Sequence, residues 1–148
     1  MMAETEQQTQ GHIQSALCGA TLASVEAWEF GGAFSFSNGA ALTTQSIWRV
    51  LAGGRIAVTS EDHRQQFGLP APVDAAQRAA SILLGTITTT EAAAITGDLR
   101  ISFSSGSVLE VLNTSSGYEG WRLVVRWDER EVIALGGGEL ATWSSGQP

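Results

Sequence analysis

The sequence predicts a mostly β α+β fold. It reads as a duplicated antiparallel meander with a pseudo-twofold, forming a curved or barrel-like sheet, with one main helix from the middle segment. Three observations predict it. The stretch Phe34-Ser-Phe-Ser-Asn-Gly-Ala-Ala-Leu42 returns 67 positions later as Ile101-Ser-Phe-Ser-Ser-Gly-Ser-Val-Leu109, identical at five of nine positions. Within each copy, apolar and polar residues alternate around a turn signal, the period of half-buried strands in a hairpin. The flanking signals also repeat in order. A Leu-x-Gly precedes each copy (Leu17 and Gly19; Leu83 and Gly85), and a Trp-Arg-apolar run follows (Trp48-Arg49-Val50; Trp121-Arg122-Leu123). Another β-like run then closes each repeat, residues 55–59 and 131–135.

The hairpin register follows from the buried face. A two-residue turn at Asn38-Gly39 would set Leu42 opposite Ser35, on the wrong face. A three-residue loop, Ser37-Asn38-Gly39, pairs Phe36 with Ala40 and Phe34 with Leu42, so the large apolar groups share one side. That loop places Gly39, and Gly106 in the second copy, where a positive φ is required. The second copy pairs Ile101 with Leu109 by the same logic.

In chain order, residues 1–12 (MMAETEQQTQGH) are polar and acidic and read as a disordered tail. The first β repeat spans 13–60: a strand from Leu17 to Trp28, the hairpin over 33–44, and strands at 46–51 and 55–59. The linker 61–82 carries the helix-forming residues. Ser60 caps a turn through Gln66 that Gly68 ends. Pro72 opens a helix over 72–82, with Asp74 at its positive end. Val73, Ala76, Ala80 and Leu83 fall on one face of that helix. The second repeat spans 83–143: strands at 84–91, 97–104 and 107–113, the run Tyr118 to Leu123, a turn at Asp128-Glu129-Arg130, and a last strand over 139–143. Residues 144–148 form a tail. The whole is a single domain, because a half of about 60 residues is marginal as an independent core.

Composition narrows the function. The chain of 148 residues has a formal net charge of −7. Its eight basic residues are scattered, which argues against nucleic acid, whose binding needs clustered phosphate neutralisation. The same scatter argues against docking on an anionic membrane. An acidic surface suits solubility, or a basic protein partner steered by charge. The one cysteine, Cys18, excludes an intramolecular disulfide and reads as a buried structural thiol. No stretch is long and apolar enough to span a bilayer. Residues 1–10 lack the features of a signal peptide, so a cytoplasmic location is expected.

Two clusters have residue types suited to chemistry or binding. The first, Glu61-Asp62-His63-Arg64-Gln65-Gln66, holds the one histidine outside the tail. His63 with Asp62 has the chemistry of a general base or metal ligand. Adjacent residues do not face each other, however, and no second ligand set accompanies them. Capping or tying the segment to the sheet is the plainer role for Asp62, His63 and Gln66. The second cluster is Tyr118-Glu119-Gly120-Trp121-Arg122. Tyr and Trp at a strand entry suit a binding surface; alternatively Trp121 is core and Tyr118 bonds a loop. Arg49 and Arg122 hold equivalent places after a Trp. If the Trp side chains point in, these arginines point out toward Glu119, Glu131 or a partner. No phosphate-binding loop, nucleophile elbow or H-E-x-x-H motif occurs. An enzyme is not expected, nor a cofactor or a metal.

The Tyr118-Glu-Gly-Trp-Arg-Leu123 strand, the two Trp-Arg strands and the segment Asp62-His63…Gln66-Phe67-Gly68…Pro72-Val-Asp74 together resemble small bacterial β-rich proteins with a Y-E-x-W-x-L strand. These are relatives of immunity-like proteins of bacterial toxin systems. The resemblance spans roughly residues 17–143. It implies a cytoplasmic, β-rich, toxin-neutralising protein and supplies no catalytic residues. Three expectations follow: a non-enzymatic binding protein with an acidic and aromatic surface, a small-ligand site between the repeats near His63, or a homodimer paired through edge strands.

Overall fold

The computed structural model describes residues 2–127 and 129–144. Two helices and eleven strands follow in order: α1 (Met2–Leu17), β1 (Leu22–Ala27), β2 (Gly32–Phe36), β3 (Ala41–Thr44), β4 (Trp48–Ala52), β5 (Arg55–Thr59), α2 (Ala75–Ile82), β6 (Ile87–Ala92), β7 (Leu99–Phe103), β8 (Val108–Val111), β9 (Trp121–Val125), β10 (Arg130–Ala134) and β11 (Leu140–Ser144). A 3-10 turn, Ser60–Asp62, follows β5.

The mostly β α+β class holds. The strands form two open antiparallel sheets instead of one barrel-like sheet, six strands in the order β1-β2-β3-β9-β10-β11 and five in the order β5-β4-β8-β7-β6. The duplication is visible in this order. Each sheet takes three consecutive strands from one repeat and completes them with strands of the other, β1-β2-β3 with β9-β10-β11 and β6-β7-β8 with β4-β5. The repeats therefore interdigitate. The chain leaves one sheet for the other between β3 and β4, and again between β8 and β9.

The hairpin register is as the alternation predicts. Phe34 faces Leu42 and Ile101 faces Leu109 across their pairs. Phe36 N–H donates to Ala40 O at 2.9 Å, and Phe103 N–H to Ser107 O at 2.9 Å. Gly39 and Gly106 both sit at φ 92°, which a three-residue hairpin loop demands. Equivalence extends to details that alternation does not reveal. Ser37 Oγ accepts from Thr21 N–H at 2.9 Å, and Ser104 Oγ from Thr86 N–H at 3.0 Å. The Trp48 indole N–H donates to Gly31 O at 3.0 Å, and that of Trp121 to Gly97 O at 2.7 Å. Thr21 and Thr86 themselves form an antiparallel bridge, joining the first strands of the two repeats.

Both sheets bury their inner faces in one core. Phe34 of one sheet meets Trp48 of the other edge to face, ring centres 5.3 Å apart. Trp48, Trp121, Leu42, Leu109, Leu123 and Ile101 are all buried in it.

Residues 2–12, expected as part of a disordered tail, belong to α1 (residue 1 lies outside the described residues). The helix forms because Thr9, Ile13, Ala16 and Leu17 recur at helical spacing and are all buried, against β6 and β11. The Leu-x-Gly signals mark helix ends, not strand starts: Gly19 and Gly85 take φ 89° and 86° just past α1 and α2. The linker helix is shorter than 72–82. Asp74 caps α2 by accepting from Gln77 N–H at 3.1 Å. Its buried residues are Ala75 and Ala79, while Ala80 is exposed. The turn after β5 is capped by Thr59, not Ser60, and does not reach Gln66. Ser144 ends β11; residues 145–148 and Asp128 of the expected turn lie outside the described residues.

Each helix spans two sheet edges, α1 over β6 and β11 and α2 over β1 and β5. A helix therefore packs beside each of the four edge strands.

Phe36 and Phe103 are equivalent and equally buried, each 3% exposed. Phe36→Ala and Phe103→Ala should each cost about 3–5 kcal/mol in urea unfolding. A loss under about 1 kcal/mol for either would show that the two repeats do not share the core equally.

Candidate functional site

Where the two repeats keep the same scaffold but differ in a loop, the scaffold does not account for the difference. One such departure links the third and fourth strands of each repeat. Residues 45–47 make that connection in the first repeat and residues 112–120 in the second. The longer loop is held by its own polar groups. Ser115 Oγ accepts from Gly117 N–H at 3.1 Å and Tyr118 N–H at 2.9 Å. Asp98 Oδ1 accepts from Asn113 N–H at 2.8 Å. The Asn113 amide donates to Thr96 O and Leu135 O, each at 3.0 Å. One side chain thus ties together three loops, residues 93–98, 112–120 and 135–139.

Glycines let these loops touch. A Cβ on Gly120 would overlap the Asn113 side chain, one on Gly136 the Gly117 backbone, and one on Gly138 the backbone of Ile95 and Thr96. At the base, Thr44 Oγ1 donates to Gly120 O at 2.9 Å in a buried cluster with Ser46. The result is a platform of fixed loops at the end of the second repeat. It displays the two most exposed large apolar side chains among the described residues, Ile95 (86%) and Tyr118 (82%).

Two shallow depressions flank the platform. One, about 660 Å³, runs beside Tyr118 and Glu119 and is lined by Gln45, Ser46, Thr114 and Ser115. The other, about 380 Å³, lies beside Ile95 with Glu6, Glu139 and Leu140. Glu119, Glu139 and Glu6 are exposed carboxylates at these rims. The nearest arginine, Arg122, is shared between Glu119 at 3.2 Å and Glu131 at 2.9 Å. The rim is therefore acidic.

The structure brings Tyr118, Glu119 and Arg122 together and separates the other candidates from them. Trp48 and Trp121 point in, and their neighbours Arg49 and Arg122 point out on different sheets. Arg49 pairs with Glu110 at 2.6 Å, which also takes Arg100 at 2.8 Å, so Glu110 holds two arginines. In the 61–66 cluster the polar atoms serve the local backbone. Asp62 Oδ2 accepts from Thr59 N–H at 3.0 Å, and His63 Nδ1 accepts from Ala75 N–H at 3.1 Å, tying the turn to the start of α2. Gln66 Nε2 donates to Leu69 O at 3.0 Å. The junction of the repeats is the packed core itself. Among the described residues no group of three or more His, Cys, Asp or Glu is placed to hold a metal ion, and no helix is long and apolar enough to cross a membrane.

A family model matches residues 32–144, which include the whole loop platform. The chain belongs to the DUF6188 family, a family of unknown function. The span that defines DUF6188 covers β2 through β11, so it takes in both hairpins, both buried Trp residues and all three platform loops. No curated protein and no solved structure matches the chain. In this DUF6188 protein, sequence reasoning reached Tyr118, Glu119 and Arg122 but missed Ile95, Asp98, Asn113 and Ser115. The available signal for Ile95 was an isolated large apolar residue in the alanine-rich link after β6. Asn113 gives no such signal, because its partners lie in two loops distant in sequence.

Two predictions follow from this geometry. Asn113→Ala removes both amide hydrogen bonds, one exposed and one partly buried, and should lower stability by about 1–2 kcal/mol. Amide exchange should accelerate in residues 93–98, 112–120 and 135–139 and stay unchanged in β2 and β7. Cys18 is half-buried, and burial pushes its thiol up from its ordinary value. A raised pKa leaves less thiolate at any given pH, so Cys18 should react with a maleimide more slowly than a free cysteine, the deficit narrowing as pH rises.

Proposed function

We propose that the chain is a non-enzymatic, immunity-like binding protein that neutralises a basic protein partner in the cytoplasm through the loop platform of its second repeat. One observation carries the reading: the most exposed aromatic and aliphatic side chains, Tyr118 and Ile95, stand on the loops most tightly fixed by Asn113 and the close-packed glycines. Exposed anchors on pre-ordered loops lose little entropy on binding and form the centre of protein interfaces. The rim carboxylates Glu119, Glu139 and Glu6 add the sign of the partner, since a basic face would be steered to them. The absence of a nucleic-acid ligand from this reading rests on the acidic net charge of −7. Its non-enzymatic character is supported by the use of His63 as a helix tie and by the placement of His12 against Arg130.

The test is capture from a lysate of the source organism, followed by titration of the captured protein against three variants. Tyr118→Ala should weaken binding by about 2 kcal/mol, roughly thirtyfold, and Ile95→Ala in the same direction. Arg100→Ala, on the outer face of the other sheet, should change it less than about twofold. Affinity should fall as salt rises. A partner held equally well by the Tyr118→Ala, Ile95→Ala double variant, or a partner that is acidic, would overturn the reading.

A further inference from the structure

We infer that this chain can exchange whole repeats with a second copy of itself, forming a dimer through residues 64–73 as a hinge. The inference does not rest on the proposed binding function. It begins from the strand order. Neither repeat makes a sheet alone, since β1-β2-β3 is completed by β9-β10-β11 and β6-β7-β8 by β4-β5. Each helix also packs on the first strand of the other repeat, α1 on β6 and α2 on β1. The partner each repeat requires is the complementary repeat, whichever chain carries it. Every contact between repeats is the same in a closed monomer and in an exchanged pair. The two forms differ only in the connection and in the number of molecules brought together.

That connection is closed under strain. Its ends are pinched by Arg64 N–H donating to Val73 O at 2.8 Å and Val73 N–H donating to Gln65 O at 2.7 Å. Inside the pinch the chain turns back through three left-handed residues, of which two are not glycine: Arg64 at φ 69°, Phe67 at φ 47° and Gly68 at φ 73°. An aromatic residue in that region is strained wherever it occurs. The tip spends none of this strain on burial, since Phe67 is 67% exposed and Leu69 44%. Pro70 and Pro72 instead hold their preceding residues toward extended conformations, the form an open hinge takes. Fully extended, the ten residues reach about 35 Å, enough to lead into a neighbouring molecule. The capping tie from His63 to Ala75 joins one repeat to the other, so it too is available between chains.

The test uses strand partners that belong to different repeats. Ala41 of β3 lies opposite Val124 of β9. Full-length Ala41→Cys and Val124→Cys chains, each with Cys18→Ser, are mixed, co-refolded at high protein concentration and oxidised. An exchanged dimer sets the two cysteines opposite each other and yields a covalent heterodimer. Either variant refolded alone yields none, since each cysteine then faces the native residue. Light scattering should show a dimer fraction that rises with concentration. Gly68→Val adds strain to the closed hinge and Phe67→Gly relieves it, so the covalent yield should differ by about tenfold between them, higher for Gly68→Val. Monomer alone at every concentration would overturn the inference. So would a dimer without the Ala41–Val124 link, or a yield indifferent to both hinge substitutions.

Discussion

The structure depends on one constraint: each sheet is built from both repeats. Three strands from one repeat are completed by three from the other in the larger sheet and by two in the smaller, and the seams are β3 with β9 and β8 with β4. Across these seams the two indoles do the same job twice. Trp48 and Trp121 are fully buried, and each hands its N–H to the carbonyl of a glycine before the second strand of a repeat, Gly31 or Gly97. A buried indole without that partner would leave a donor unsatisfied in the core. Each repeat thus supplies the ring and the carbonyl that lock its own sheet crossing, and the complementary repeat supplies the strands on either side. Neither half has an inside until both are present, which fits the expectation that a half of about 60 residues falls short of an independent core.

Much of this was legible in the sequence because it is local. Alternation and a glycine at the turn determine the hairpin register, and both copies obey it. The exchange of strands was not legible. A strand with one buried face presents the same alternation to a neighbour from its own repeat as to one from the other, so periodicity cannot choose between a simple meander and an interdigitated pair. The choice is made by the connections at 45–47 and 112–120, which carry the chain from sheet to sheet. The first helix was missed for a related reason. Residues 2–12 contain little that is apolar, and α1 acquires its buried face only where β6 and β11 lie side by side to receive Thr9, Ile13 and Leu17. Its stability comes from tertiary packing more than from propensity.

The site divides the same way. Tyr118 and Glu119 stand out in the sequence as an aromatic and a carboxylate at a strand entry. Asn113 does not, since an asparagine in a Ser/Thr/Gly-rich loop is ordinary turn chemistry. Its importance appears only when residues 93–98 and 135–139 come to either side of it. His63 shows the opposite case. A histidine beside an aspartate looks like chemistry in one dimension, yet both side chains are committed to backbone N–H groups that would otherwise be unpaired at helical starts.

The scaffold repeats but the platform does not, and the topology supplies the reason. The platform needs three loops of one repeat to fold against one another: those after its first, third and fifth strands. In the second repeat the loop after the fifth strand is 135–139, a short turn into β11 that lets Gly136 and Gly138 press on the other two. In the first repeat the same position is occupied by residues 60–74, which must run from β5 to the start of α2. A segment committed to joining the repeats cannot also close back over residues 28–31 and 45–47. The first repeat therefore keeps the shortest connection its sheet crossing allows, and the second, freed of the linking task, carries the long loop that presents Tyr118. One copy bears the segment that joins the repeats and the other the loop platform, a division that follows from duplicating a unit within a single chain.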